Sequence, residues 1–122
     1  MKSQRQEILS RRRSLHEKLR ALSYAPLMRG SIVEVTRRCG RLNCACARDP
    51  GARHRSKMLS VNLDGRTRTL HLRPEDEEAV RRATEAYAQL WEVVNGLTAC
   101  ELADLKRLAR ERKRTRNRLR RA

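Results

Sequence analysis

A chain of 122 residues with 30 Lys and Arg against 14 Asp and Glu carries a formal charge of +16, and is about half the length that a β/α barrel or a two-lobed kinase needs. Aromatic residues are 2% of the total, namely Tyr24, Tyr87 and Trp91, so a core of Leu, Val and Ala is thin and calls for a metal, a partner subunit or a bound polyanion. The opening MKSQRQEILSRRR has no signal-like apolar run and no stretch approaches the ~18 apolar residues of a membrane span, which predicts a cytoplasmic protein with no membrane partner.

Ser3 and Gln6 have capping-box spacing, and Ile8, Leu15, Leu19 and Leu22 recur at helical intervals. This predicts a basic N-terminal helix over about residues 4–22, ending before Pro26 and Gly30. Ser31–Arg37, with Ile32, Val33 and Val35, reads as a strand. Next come Cys39, Cys44 and Cys46, with His54 following, a C-x4-C-x-C-x7-H spacing. Three thiolates and an imidazole are a recognised tetrahedral zinc set, and Gly40, Pro50 and Gly51 let the loop turn back on its own ligands. The alternative is three reduced thiols and a surface His; an iron–sulfur cluster has compatible ligands, but the spacing follows no known pattern.

Leu59, Val61 and Leu63 alternate up to Asp64-Gly65, and Arg66–Leu72 alternates after it, which predicts a hairpin with a two-residue turn. In that register Leu59, Val61, Leu63, Leu70 and Leu72 share one face, with Arg66 and Arg68 near its turn end. Met58, Ser60, Asn62, Thr67, Thr69 and His71 share the other. Short hydrogen-bonding side chains on a two-stranded ribbon suit base edges in a DNA major groove, although Thr also simply favours strands.

Pro74 and the acids Glu75–Glu78 predict a helix start. Val80, Ala83, Tyr87, Leu90 and Val94 form one face, and Asn95-Gly96 reads as its stop. Thr98 and Glu101 then form a second capping box, with Leu97 and Leu102 as its staple, so the expectation is a helical hairpin. Beyond Ala109 the apolar face gives out into RERKRTRNRLRRA, which is expected to fray when free. Cys100 is expected to pack as a small hydrophobe.

The fold class is therefore α+β: a basic helix, a small three-stranded antiparallel sheet with a Cys/His loop, and a helical hairpin. The division is 1–29 for the N-terminal helix, 30–97 for the core and 98–122 for the last helix and its tail. Net charges of +6, +7, −6 and +9 over residues 1–30, 31–73, 74–105 and 106–122 leave positive charge for another molecule. The phosphate- and base-binding candidates are Arg37, Arg38, Arg41, Arg53, Arg55, Lys57, Ser60, Asn62, Arg66, Thr67, Arg68 and Thr69, with Arg112, Lys113, Arg114, Arg116 and Arg118 in the tail. Arg predominates among them, the better bidentate ligand for phosphate and guanine.

No phosphate loop, G-x-S-x-G, spaced carboxylate pair, H-E-x-x-H or deaminase pattern is present, so an enzyme is not expected. Four protein ligands would make a metal structural, because no position stays open for water or substrate. The segment SIVEVTRRCGRLNCACARDPGARHR, above all Arg38-Cys39-Gly40 with Asn43-Cys44-Ala45-Cys46, resembles a family of small bacterial and archaeal proteins of unknown function that are often encoded near transposases. The resemblance covers residues 30–97, stops short of the basic ends, and implies the fold and the ligands Cys39, Cys44, Cys46 and His54. The expected function is a double-stranded-DNA-binding accessory or regulatory protein, with a mobile element as one setting for it and binding of structured RNA as the alternative. A third reading is a protein-interaction module, in which the 75–108 helical hairpin, with Leu90, Trp91, Val94, Leu102, Leu105 and Leu108, pairs with another copy or with a transposase.

Overall fold

The computed structural model describes residues 3–122 and divides into two compact units, Pro26–Tyr87 and Ala88–Ala122 with the chain up to Ala25. In the first unit β1 (Gly30–Arg37), β2 (His54–Leu63) and β3 (Arg66–Leu72) form an antiparallel sheet in the order β1-β2-β3. The hairpin has the register its alternation predicts, with Leu63 opposite Arg66, Val61 opposite Arg68 and Leu59 opposite Leu70. Asp64 and Gly65 sit at φ 54° and 76°, the twist that lets a two-residue loop follow the strands. Gly30 pairs with Val61 and Ile32 with Leu59, which adds β1 to the same face.

Only Leu59 and Leu72 of the expected apolar face are fully buried; Leu63 and Leu70 stay exposed. Pro74–Asp76 forms a single 3-10 turn that leads into α2 (Glu77–Arg121). The first turns of α2 belong to the sheet unit, where the Met28 amide donates to the Ala83 carbonyl (3.1 Å) and Ala83 is buried.

The second unit pairs α1 (Gln4–Leu22) with the rest of α2. The capping box is formed, with the Gln6 amide on Ser3 Oγ at 3.2 Å and the Ser3 amide on Gln6 Oε1 at 3.0 Å. Along α1, Ile8, Arg12, Leu15, Leu19 and Leu22 make one buried or half-buried stripe; along α2, Leu90, Val93, Leu97, Cys100, Asp104 and Arg107 make another. Both stripes step by three and four residues, the spacing of a coiled-coil seam. Leu15 meets Gly96, Arg12 meets Glu101 and Asp104, and Gln4 meets Arg110, so the helices run antiparallel.

The expected helical hairpin is not formed: α2 is one helix of 45 residues. Gly96 does not end it. A Cβ there would lie 3.1 Å from Leu15 Cδ1, so this glycine serves close approach of α1. Thr98 does not cap a new helix either, because its hydroxyl donates back to the Val94 carbonyl at 2.9 Å, a bond that keeps the chain helical. The partner of the C-terminal half of α2 is α1. Past Ala109 the chain is helical to Arg121 instead of frayed; no Gly or Pro follows Gly96, and Arg, Lys and Leu favour helix. The core is as thin as the composition implies. Among the described residues its fully buried members are Ile8, Cys46, Leu59, Leu72, Ala83, Val93 and Cys100.

Candidate functional site

The loop between β1 and β2 gathers the four chemically distinctive side chains. Cys39 follows the end of β1, and His54 opens β2 directly opposite Arg37. Between them lie two 3-10 turns, Ala45–Ala47 and Pro50–Ala52. The first is closed by the Arg48 amide on the Ala45 carbonyl (3.1 Å), and Asp49 Oδ1 accepts from the Gly51 amide (2.9 Å). Cys44 is extended (φ −85°, ψ 140°) immediately before the tight turn that carries Cys46. That change of direction is what brings two thiols only two residues apart onto one point.

Cys44 Sγ lies 3.3 Å from His54 Nε2 and Cys46 Sγ 3.5 Å from Cys39 Sγ, and the four donor atoms all fall within 4.8 Å of one another. Tetrahedral coordination with bonds of about 2.3 Å to sulfur and 2.0–2.1 Å to nitrogen sets neighbouring donors roughly 3.5–3.8 Å apart. The cluster therefore has the donors and the size for a metal ion. Its electrostatics point the same way. The Cys46 amide, then the His54 ring, hold the Cys44 thiol down at about 6, so it is largely thiolate at neutral pH. Cys46 is only 1% exposed; the Cys39 amide, 3.3 Å from its sulfur, favours its thiolate, but burial and the neighbouring thiols outweigh that and push it up. A cation would relieve that crowding.

The basic and polar candidates are distributed unevenly. Arg37, Arg38, Arg41 and Arg55 are exposed on or beside the Cys loop, with Arg37 Nη2 3.3 Å from Met58 Sδ and Arg55 3.9 Å from Glu34. Arg53 is half-buried, and its Nε has no partner. Ser60 opposes Thr69 and Asn62 opposes Thr67, so these four make one patch; Arg66 and Arg68 project from the other face. Lys57 also lies on that other face, and its ammonium is taken by Glu77. Glu77 accepts from Arg81 as well, and the Lys57 hydrogen bond, then that of Arg81, holds its carboxyl below the usual range. Arg112, Lys113, Arg114, Arg116 and Arg118 are exposed along the last turns of α2, in the other unit.

Sequence reasoning missed Arg29, whose guanidinium donates to the Asn62 carbonyl at 2.8 Å; no local pattern links residues so far apart. Among the described residues no helix is long and apolar enough to cross a membrane. No curated protein matches the chain, and no solved structure does. The sequence profile of one family matches residues 5–82, so the likeness reaches back through α1 instead of starting near residue 30, and it stops at residue 82 instead of 97. Because that match takes in well over half of the chain, with all four donor residues inside it, the chain belongs to the family described as a domain of unknown function, DUF6788.

Proposed function

We propose that the protein binds nucleic acid, double-stranded DNA in the first place, as an accessory or regulatory factor, and that Cys39, Cys44, Cys46 and His54 hold a structural zinc ion. The observation that carries the binding reading is the surplus of free cations. Among the described residues, ion pairs engage seven basic side chains, Arg12, Arg55, Lys57, Arg73, Arg81, Arg82 and Arg107, of the 29 present. The rest have no carboxylate within ion-pair distance, although Arg29, Arg37 and Arg110 reach neutral protein acceptors, and a polyphosphate is the partner that uses such a surplus.

The Ser60, Asn62, Thr67 and Thr69 patch offers donors and acceptors of base-reading length, while Arg37 and Arg38, toward the Cys-loop end of the sheet, suit phosphate. Three thiolates with one imidazole favour zinc over harder cations. Four protein donors leave no site for substrate, so the ion braces the loop and no catalysis is assigned to it. The likeness to proteins encoded near transposases supports a mobile element as the setting.

The test is binding to matched duplex DNA and structured RNA over a salt series, with metal analysis of the same sample. If about eight phosphates are neutralised, the log–log salt slope on duplex DNA is about −7. A slope near zero removes the proposal, and tighter binding to RNA at equal salt replaces DNA as the target.

A further inference from the structure

We propose that a second copy of this chain docks on the outer face of α2, antiparallel, about a twofold axis at Thr98. Trp91, Val94, Leu102 and Leu105 are 57%, 38%, 52% and 63% exposed. At 100° per residue they form one stripe with Thr98, about 120° round the helix from the Val93–Cys100 seam that α1 covers. The stripe occupies about 22 Å of helix. Isolated exposed apolar residues need no explanation, but a continuous row of them beside an already satisfied seam does.

Two observations choose the occupant. The steps along the stripe, 91 to 94 to 98 to 102 to 105, are three, four, four and three residues, the same read from either end. An antiparallel copy therefore sets Trp91 against Leu105 and Val94 against Leu102, large against medium at each level, with Thr98 facing itself. The Thr98 hydroxyl is already satisfied by the Val94 carbonyl, so burying it on the axis strands no donor.

The second observation is charge. From Glu77 to Asp104, α2 carries six acids and two bases; from Leu105 to Arg121 it carries ten bases and one acid. The register that pairs the stripe lays Lys106–Leu119 of one copy beside Glu77–Leu90 of the other, which holds three acids and two bases, and so keeps the two basic ends apart. A parallel pairing would lay basic end on basic end, which like-charge repulsion opposes. The twofold makes the interface closed and self-complementary.

The test uses the full chain free of nucleic acid. Sedimentation equilibrium should give twice the 14.2 kDa chain mass, and Leu102→Glu with Leu105→Glu should weaken association by about 10–100-fold with helix content unchanged, since both positions are exposed. Under mild oxidation Thr98→Cys should cross-link two chains beyond the level of the unsubstituted protein. Val94→Cys should not, because its two copies are offset by about 12 Å along the helix. A wild-type monomer at about 100 μM, well above the micromolar range expected of a specific interface, overturns the proposal. Cross-linking of Val94→Cys equal to that of Thr98→Cys overturns the antiparallel register.

Discussion

In the sheet unit the fully buried residues are Cys46, Leu59, Leu72 and Ala83; in the helix unit they are Ile8, Val93 and Cys100. Neither set is large enough to account for an ordered fold by apolar burial alone, and the two units make up the difference with opposite chemistry. The sheet unit gathers thiols and an imidazole, groups of little use until a cation joins them. The helix unit places charges directly in its seam. Arg12 Nε lies 2.8 Å from Glu101, and Arg107 reaches both Asp104 (2.9 Å) and Glu111 (2.7 Å). The Arg107 side chain is only 14% exposed. A half-buried charged network adds little net stability but punishes a shifted register, since any slip leaves a charge unpaired. One unit is therefore sensitive to metal and thiol chemistry, the other to helix spacing.

The comparison breaks most sharply at Cys46. Cys46→Ser should reduce bound metal from about one ion per chain to near none, and hydrogen exchange should show β1 and β2 losing protection while the α1–α2 pair keeps its own. Equal loss in both units would mean that they do not depend on separate chemistry. A smaller effect is expected at the helix contact. Gly96→Leu should lower stability by about 1–3 kcal/mol through overpacking against Leu15, measured by denaturant unfolding, with metal content unchanged. Gly96→Ala tests the same contact more gently, since up to about 1 kcal/mol of helix propensity offsets the displaced Leu15.

The smallest effect is acid sensitivity. The Arg107 hydrogen bond first, and the nearby Arg12 charge as well, hold the Asp104 carboxyl below its ordinary value of 3.8. Its contribution is then fully present above that value and is lost as pH falls through the lower folded one. Thermal melts of the helix unit between about pH 5 and 2 should show this loss, and Asp104→Asn should lack that component.

Much of this arrangement was legible because its causes are local. The capping box, the limits of α1, the Asp64-Gly65 turn and the hairpin register each depend on residues within a few positions of one another. The Cys39–His54 grouping was legible from donor types and spacing, although the convergence of Cys44 and Cys46 depends on a 3-10 turn that spacing does not encode. The continuity of α2 was not legible. Asn95-Gly96 carries a stop signal by composition, and only the presence of Leu15, 81 residues earlier, gives Gly96 another use. Lys57 illustrates the same limit: it reads as a phosphate ligand until Glu77 arrives from a different element. The seam was half visible. Ile8, Leu15, Leu19 and Leu22 recur at helical intervals, but the seam also takes in Arg12, whose partners Glu101 and Asp104 come from a helix that no local pattern links to it.

The antiparallel pairing of α1 with α2 has a consequence for how the chain assembles as it is made. Its contacts join residues as far apart as Gln4 and Arg110, 106 positions along the sequence, whereas the three strands are sequential neighbours that pair in order. On a ribosome the strands can zip together while the second half of α2 is still untranslated, and α1 must wait, its apolar stripe bare, until that half has been made.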